Sequence, residues 1–333
     1  MKLVIGFITY GDLTAKYLPY FLESLKKQSF KDFKIIAVDN TESAENPNKK
    51  YITGKYPEFS LKWMGGNLGF AKANNIIINL GRKHNPEYIL LLNPDMILQT
   101  DAAEKLVRIL DNNRELGSVC PKILQWDFTG NKKTKIIDSC GIKETGALRF
   151  VDIGQGEEDL GQYDKAKILG PSGAAAMYRV SAIKKASFIP SPCQGEGQGE
   201  VQYFDELMFM YKEDCDLAYR LKLAGYKSKL VSDAIVYHDR TAGGKGKGDM
   251  AVAVNRRRKS QQIKKWSFLN QQIIFSKYWS LQSLIGKLSI IVYQKKMILF
   301  ILFFEQYLLR QFVQLFKIRK SIKKYKKSIS SNI

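Results

Sequence analysis

The 333-residue sequence lacks several features that would place it in other protein classes. Its four cysteines form no CxxC pair, so reduced thiols of a cytoplasmic protein fit better than disulfides or zinc sites. The N-terminus lacks a basic segment followed by a long apolar core and a small-residue cleavage site, so we expect no secretory signal. No apolar window free of charge reaches the roughly 18–20 residues of a membrane-spanning helix.

Positive charge is abundant but unevenly placed. The formal net charge is +21, from 53 basic and 32 acidic residues. Residues 243–333 contain 20 Lys and Arg and only two acids, a net of +18, which leaves 33 − 30 = +3 for residues 1–242. This asymmetry predicts a near-neutral globular domain, residues 1–245, followed by a basic extension, residues 246–333, with an anionic partner.

Short apolar strands alternate with helical patterns in the first part of the chain. Residues 3–10, 33–40 and 88–92 are typical of buried strands, and apolar residues recur at helical spacing between the first two. The alternation predicts an α/β fold with a mostly parallel central sheet and crossover helices. Ligands bind beyond the carboxyl ends of such strands. The polar residues at these ends are Thr9, Tyr10, Asp39, Asn40, Gly66, Asn67, Asn93 and Asp95.

Three motifs at the strand ends are ambiguous when taken alone. Residues 65–69 (GGNLG) resemble a phosphate loop but match neither GxGxxG nor a Walker sequence, and a flexible turn is the alternative. Asp39 could cap a turn or contact a base or ribose. In the triplet Asn93-Pro94-Asp95, the proline stiffens the turn and leaves Asp95 facing a cleft. There it could bind a divalent cation that bridges diphosphate oxygens, or the triplet could be a simple turn.

An acidic cluster begins a helical pattern within residues 204–221 (FDELMFMYKEDCDLAYRL). We expect the helix macrodipole to keep Glu213, Asp214 and Asp216 ionised. One interpretation is N-terminal capping with a solvated Asp216–Arg220 pair. The other is a general base at the floor of a cleft beside a group that orients it.

Three further segments have open interpretations. Residues 168–180 form an apolar strand whose small residues would permit either close approach of a ligand or tight packing. The Pro/Gly-rich residues 190–202 would be a lid or a surface insertion. Residues 227–237 form a strand that ends at His238, which could complete a metal site with Asp95 or be structural.

From residue 266 onward the chain is helical, aromatic and basic. Apolar residues recur at helical spacing over 281–292, residues 297–304 (MILFILFF) are continuously apolar, and residues 317–327 (KIRKSIKKYKK) are strongly basic. The pattern predicts basic amphipathic helices that bind an anionic membrane surface. A helical cap on the domain, or a protein-binding surface, is the alternative. Nucleic acid is not expected as a partner, because long apolar runs would be wasted on phosphates.

The motifs gain specificity from their order along residues 1–245. They are VDN, GGNLGFAKANN, LLNPD, GPSGAAAMYR, FDELMFMYKEDCDLAYRLKLAGY and a strand ending in His. This order resembles the family 2 glycosyltransferases of the GT-A fold, and within them the rhamnosyltransferase-type enzymes of bacterial polysaccharide assembly. More loosely, the tail resembles the membrane-associating extensions of that family.

The resemblance implies an inverting transfer of a sugar from a nucleotide diphosphate donor to an acceptor hydroxyl. Asp214 matches the catalytic base, and Glu213 and Asp216 would orient it or the acceptor. Asp95 and His238 would bind a divalent cation, Mn²⁺ or Mg²⁺, although Asn93 replaces the first acid of the family's DxD motif. The donor would be bound by Thr9, Tyr10, Asp39, Gly66, Asn67, Asn93 and Asp95.

We therefore expect a glycosyltransferase at the cytoplasmic face of the plasma membrane, docked on the inner leaflet through residues 266–327. It would transfer L-rhamnose from dTDP-rhamnose to a lipid-linked glycan in cell-surface polysaccharide synthesis. Donors such as UDP-galactofuranose, UDP-GlcNAc or a GDP-sugar remain alternatives. A non-catalytic protein that binds membranes or polyanions is the rival from another class. The intact acids at positions 95, 213 and 214 speak against it, because a retired site tends to lose its acids.

Overall fold

The structure is a computed structural model that describes residues 1–188, 201–239 and 259–332, with side chains as far as residue 326. The strands are β1 (Leu3–Thr9), β2 (Phe33–Asp39), β3 (Ser60–Trp63), β4 (Tyr88–Leu92), β5 (Met96–Leu98), β6 (Leu116–Asp127), β7 (Lys132–Ser139), β8 (Ile142–Thr145), β9 (Arg149–Asp152), β10 (Ala175–Arg179) and β11 (Lys227–His238). The helices are α1 (Gly11–Ala15), α2 (Leu18–Lys26), α3 (Pro47–Lys55), α4 (Gly69–Arg82), α5 (Ala102–Asn112), α6 (Val180–Lys185), α7 (Glu213–Leu223), α8 (Gln261–Tyr278), α9 (Leu284–Phe304) and α10 (Arg310–Asn332).

A nine-stranded sheet forms the centre of the fold. Its order is β3-β2-β1-β4-β10-β6-β11-β5, with β7 added to β6, and β8 and β9 form a separate hairpin. Strands β3, β2, β1 and β4 are parallel, whereas β10 runs antiparallel between β4 and β6. The predicted α/β fold is confirmed. Its parallel part comprises the strands with the clearest apolar runs, because parallel strands are covered by helices on both faces.

One predicted strand is shorter than its apolar sequence indicates. Of residues 168–180, only Ala175–Arg179 joins the sheet, as β10. The preceding residues form a connection in which the Gly170 carbonyl accepts from the Ile142 amide at 2.8 Å. Gly170 lies so close to α7 that an added Cβ would be 2.4 Å from the Ala218 Cβ. Close packing therefore explains Gly170, whereas Gly173 and Ala174 lie nearer to β10 and line a cleft described below.

Helix α8 is part of the core. The predicted boundary between residues 245 and 246 lies outside the described residues, but α8, which follows it, buries Ile273, Ile274 and Tyr278. These side chains form one apolar cluster with Met208 and with Tyr219 of α7. Such packing is what the helical-cap alternative predicts for this part of the tail.

Helix α9 differs from both α8 and the predicted amphipathic pattern. Apolar side chains are exposed along its whole length, and only Ile290 and Ile301 are buried. The most exposed are Leu284, Ile285, Leu288, Phe303 and Phe304. A helix that is apolar on all sides needs a further apolar environment. Within the described ranges, no helix combines the length and apolar composition needed to cross a membrane.

Candidate active site

A cleft of about 550 Å³ opens beyond the carboxyl ends of the central strands. It brings together most of the residues predicted from sequence, namely Tyr10, Asn67, Asn93, Asp95, Glu213, Asp214 and His238. Four predicted residues do not line it: Thr9, Asp39, Gly66 and Asp216. The convergence of the first set supports a single site at the edge of the sheet where such folds bind ligands.

Asp214 faces this cleft from the first turn of α7. One carboxylate oxygen accepts from the Gly173 amide at 2.8 Å, and the other accepts from the Cys215 amide at 2.7 Å. These two hydrogen bonds fix the orientation of the carboxylate in the cleft. A Cβ at position 173 would lie 3.2 Å from the Asp214 Oδ2, so the glycine leaves room for this contact. The role of Gly173 was missed, because the sequence showed only a run of small residues.

Two residues with left-handed backbone precede the acid pair. Tyr211 and Lys212 have φ angles of 75° and 69°. Such a conformation in residues other than glycine costs free energy and is concentrated at functional sites. The turn ends at Lys212, the N-cap of α7, and so fixes where Glu213 and Asp214 begin the helix.

Glu213 is held in a different state from Asp214. Its side chain is buried, and its Oε2 has no hydrogen-bond partner among the described residues. Burial raises the pKa of Glu213 well above its usual range, and the neighbouring Asp214 charge raises it further. The direction of this shift is opposite to the one that the macrodipole predicts, because desolvation disfavours the charged form.

Asp216 points away from the cleft into the protein interior. Its carboxylate accepts from the Lys277 ammonium at 2.6 Å, the Tyr278 hydroxyl at 2.7 Å and the Arg220 Nε at 2.9 Å. Burial would raise the pKa of Asp216, but the Lys277 and Arg220 charges lower it to about 2. The predicted Asp216–Arg220 pair is thus present, but it is buried and not solvated.

Asp39 is also occupied by protein donors. Its carboxylate accepts from the hydroxyls of Thr9 at 2.9 Å and Thr41 at 2.6 Å, and from the Asn46 amide at 2.7 Å. It also accepts from the Thr41 backbone N–H at 3.3 Å. This is the arrangement of the turn-capping alternative.

His238 lies between two carboxylates. Its Nδ1 is 2.8 Å from the Asp138 Oδ2, and its Nε2 is 3.2 Å from the Asp95 Oδ1. Burial lowers the pKa of His238, but the charges of Asp95 and Asp138 outweigh it and raise this pKa to about 10. Sequence reasoning missed Asp138, because its partner lies 100 residues away.

These residues offer a small donor set for a cation. In the part of the chain that the structure describes, no group of three or more His, Cys, Asp or Glu is arranged to hold a metal ion. The Asp95 Oδ1 is nevertheless buried without a hydrogen-bond partner there, and it faces the His238 Nε2. A magnesium-type site uses one or two protein ligands together with phosphate oxygens. A carboxylate and an imidazole whose other nitrogen contacts Asp138 fit such a site.

Comparison with known proteins agrees with this geometry. The sequence model of "Glycosyl transferase family 2" matches residues 5–186, more than half of the chain. The N-acetylglucosaminyl-diphospho-decaprenol L-rhamnosyltransferase of Mycobacterium tuberculosis is 25% identical over 244 residues, which cover 67% of this chain and 71% of that protein.

Solved structures are similar in fold. The crystal structure of GalNAc-T7 with UDP, GalNAc and Mn²⁺ has a TM-score of 0.57 at 12% identity. The similarity covers 84% of this chain and 49% of that one, so this chain spans about half of the larger protein. The structure of S. aureus TarS 1-349 has a TM-score of 0.48 at 18% identity, covering 83% of this chain and 73% of that one. With the cleft, the ordered motifs and the family match in agreement, this chain belongs to glycosyl transferase family 2 and is a glycosyltransferase.

Proposed function

We propose that this enzyme is an inverting glycosyltransferase that uses Asp214 as its general base. The donor would be a nucleotide diphosphate sugar, with dTDP-L-rhamnose as the best assignment, and the acceptor a hydroxyl of a lipid-linked glycan in cell-surface polysaccharide synthesis. The observation that carries the proposal is the Asp214 carboxylate, which faces the cleft and is fixed by two backbone N–H groups.

The reaction follows from the positions of the two acids. As the acceptor oxygen bonds to the anomeric carbon and the bond to the diphosphate breaks, the hydroxyl proton passes to Asp214. Glu213 would be protonated, so its O–H can donate a hydrogen bond to a substrate hydroxyl in the cleft. The proposed base and the proposed hydrogen-bond donor thus occupy adjacent positions in the first turn of α7.

A second group of cleft residues would bind the diphosphate. Asp95 and His238 are the residues that would hold a divalent cation, Mn²⁺ or Mg²⁺, which when bound supplies positive charge to the leaving group. Tyr10, Asn67 and Asn93 also line the cleft and would contact the nucleotide. The buried residues Thr9 and Asp39 would support this pocket from behind, and Gly66, next to Asn67, would border it.

The lipid-linked acceptor is suggested by the mycobacterial relative. The name of that protein specifies a diphospho-decaprenol acceptor and L-rhamnose. The exposed apolar side chains of α9 and the basic residues of the tail suit docking on an anionic membrane from the cytoplasmic side. UDP-galactofuranose, UDP-GlcNAc and GDP-sugars are the alternative donors.

Thermal stability of the full chain with a panel of nucleotide sugars, with and without Mn²⁺ or Mg²⁺, tests the donor and the metal. A ligand at about 100 times its dissociation constant should stabilise the fold by roughly 2.7 kcal/mol. Stabilisation by one nucleotide and its increase by metal would support Asp95 and His238 as metal contacts. If none of the nucleotide sugars stabilises the protein, the donor assignment is refuted and a non-catalytic protein is favoured.

The Asp214→Asn variant tests the base. It should bind the donor with unchanged affinity in the same assay and lose transfer by at least about 100-fold, since general base catalysis contributes this much. Turnover comparable to that of the wild type would remove Asp214 from the role.

Flotation with liposomes tests the membrane assignment. Full-length protein should bind vesicles containing 30 mol% anionic lipid, and Phe303→Glu with Phe304→Glu should weaken binding because both aromatic side chains are exposed. Apolar insertion should survive salt that screens charge pairing. Equal binding by wild type and the double variant would rule out insertion of this end of α9.

A further inference from the structure

Helix α8 contacts the strained turn that precedes the acid pair. The Asn270 side chain is buried, and its Nδ2 donates to the carbonyl of Met210 at 2.9 Å and to that of Tyr211 at 2.7 Å. Both carbonyls can only accept, so the amide nitrogen has to face them. Met210 and Tyr211 themselves line the cleft.

The residue just before this turn is held from two further directions. The ring of Phe209 stacks on Trp266 of α8, with centroids 4.8 Å apart, and the Phe209 carbonyl accepts from the Phe70 amide of α4 at 2.8 Å. An added Cβ at Gly69 would lie 2.4 Å from the Phe209 oxygen, so only glycine fits there. Residues 209–211 are therefore clamped between the start of α4 and one face of α8.

Trp266 and Asn270 are four residues apart and lie on the same face of α8. Their contacts fix three consecutive residues, after which only the left-handed Lys212 separates the clamp from Glu213. The position of the acids thus depends on a helix that follows α7 by almost 40 residues. The family match, over residues 5–186, includes neither the acids nor α8.

We propose that Asn270 is a positioning residue of the glycosyl transfer reaction, which holds the 210–212 turn so that Asp214 meets the acceptor hydroxyl. The inference rests on the proposed role of Asp214. Asn270 does not line the cleft. Asn270 therefore acts on the geometry of the base and contacts none of the residues proposed to bind the donor, so we expect donor binding to be largely unaffected.

The test compares two leucine variants in the full-length protein. Asn270→Leu removes both donated hydrogen bonds while keeping a similar side-chain volume. Gln272→Leu is the matched control, because Gln272 is equally buried on α8 but its side chain bonds to Gln294 of α9 at 3.2 Å, away from the turn. Both variants therefore lose a buried amide from the same helix.

The first readout is release of nucleoside diphosphate from dTDP-L-rhamnose with N-acetylglucosaminyl-diphospho-decaprenol as the acceptor, and with UDP- and GDP-sugars as further donors. We expect kcat to fall by about 10- to 100-fold in Asn270→Leu, as for a misplaced catalytic group, while the donor KM stays within about twofold. Gln272→Leu should keep kcat within about twofold. Equal kcat values in the two variants would overturn the inference.

The second readout needs no turnover. Hydrogen exchange of a peptide spanning residues 207–214 should be faster in Asn270→Leu than in Gln272→Leu, with other peptides unchanged. Unchanged exchange there would show that Asn270 does not hold the turn. If wild type releases no nucleoside diphosphate from any donor, the proposed function fails while the exchange comparison still decides the positioning. If Asn270→Leu does not fold, Asn270→Ser in the same two assays replaces it, with the same outcomes.

Discussion

Replacing Lys277 by methionine should destabilise the whole catalytic fold. The Lys277 ammonium is fully buried and contacts two buried carboxylates, Asp216 at 2.6 Å and Asp205 at 2.9 Å. Methionine keeps most of the side-chain length but leaves Asp205 without its cation. Removal of one partner from a buried pair costs about 3–5 kcal/mol, because the remaining charge is left unpaired.

The pKa of Asp216 gives a second estimate of this size. A decrease from 3.8 to about 2 corresponds to about 2 kcal/mol at neutral pH, of which Arg220 would retain a share in the variant. Asp205 adds a further contribution, so about 3–5 kcal/mol is consistent. At about 2.1 cal/mol/K per residue, the unfolding entropy of 333 residues is about 0.7 kcal/mol/K, so the melting temperature should fall by about 4–7 °C.

The loss of unfolding free energy in Lys277→Met should depend on pH, and the direction of this dependence follows from the pKa of Asp216. Because the pKa of Asp216 is lowered in the folded state, its stabilising contribution is present above pH 3.8 and is lost as the pH falls towards 2. The difference in stability between wild type and variant should therefore be nearly constant from pH 7 to pH 4 and should shrink by pH 3, so the two pH values to compare are pH 7 and pH 3. Urea unfolding at both pH values measures it.

Lys27→Met is the matched control, because Lys27 pairs with Glu23 at 3.3 Å on an exposed helix surface. Its loss should cost less than about 1 kcal/mol at either pH. A Lys277→Met deficit no larger than that of this control, or one that is the same at pH 3 and pH 7, would refute the reasoning.

Three other predictions concern the site. Gly69→Ala should lower the melting temperature by several degrees, because its Cβ would meet the Phe209 carbonyl at 2.4 Å. Gly54→Ala is the control: it has open space in α3 and should be neutral or stabilising by about 0.5–1 kcal/mol. Glu213→Gln should retain transfer within a few-fold and Glu213→Leu should lose it, since glutamine also donates a hydrogen bond; equal losses would exclude the donor role. Asp138→Asn should lower the affinity for Mn²⁺ about 10- to 100-fold, measured by titrating Mn²⁺ and following thermal stability in the presence of the donor. An unchanged titration would exclude a supporting role of Asp138.

The parallel part of the fold could be predicted from local sequence patterns. β1, β2 and β4 are continuous apolar runs because both faces of each strand are covered, and their polar ends lie at one edge of the sheet. The positions of Asp95, Asp214 and His238 in one cleft could therefore be predicted. The placement of these three residues depends on the order of the strands and on where helices start, and both can be recognised in a single sequence.

What escaped prediction depends on contacts between distant residues. Judged from the sequence alone, Asp216 resembles an acid of the active site. Its partner Lys277 lies 61 residues away in the chain, and the contact between them holds the Asp216 side chain in the protein interior. Lys277 in turn looks like one more cation of a basic tail. The effect of burial on the pKa of Glu213 was not predicted. Burial of this residue depends on segments that pack over the start of α7, and no local sequence pattern indicates such packing.

The burial of Lys277 between Asp205 and Asp216 has a consequence for how the protein is made. On the ribosome, strands β1 to β11 are complete before α8 is synthesised. At about 5–20 residues per second, the 61 residues between Asp216 and Lys277 take roughly 3–12 seconds. Until then Asp205 lacks its cation, and Asp216 has only Arg220 as a charged partner. The nascent enzyme can therefore neutralise both buried carboxylates only when the segment that leads to α9 is itself being synthesised.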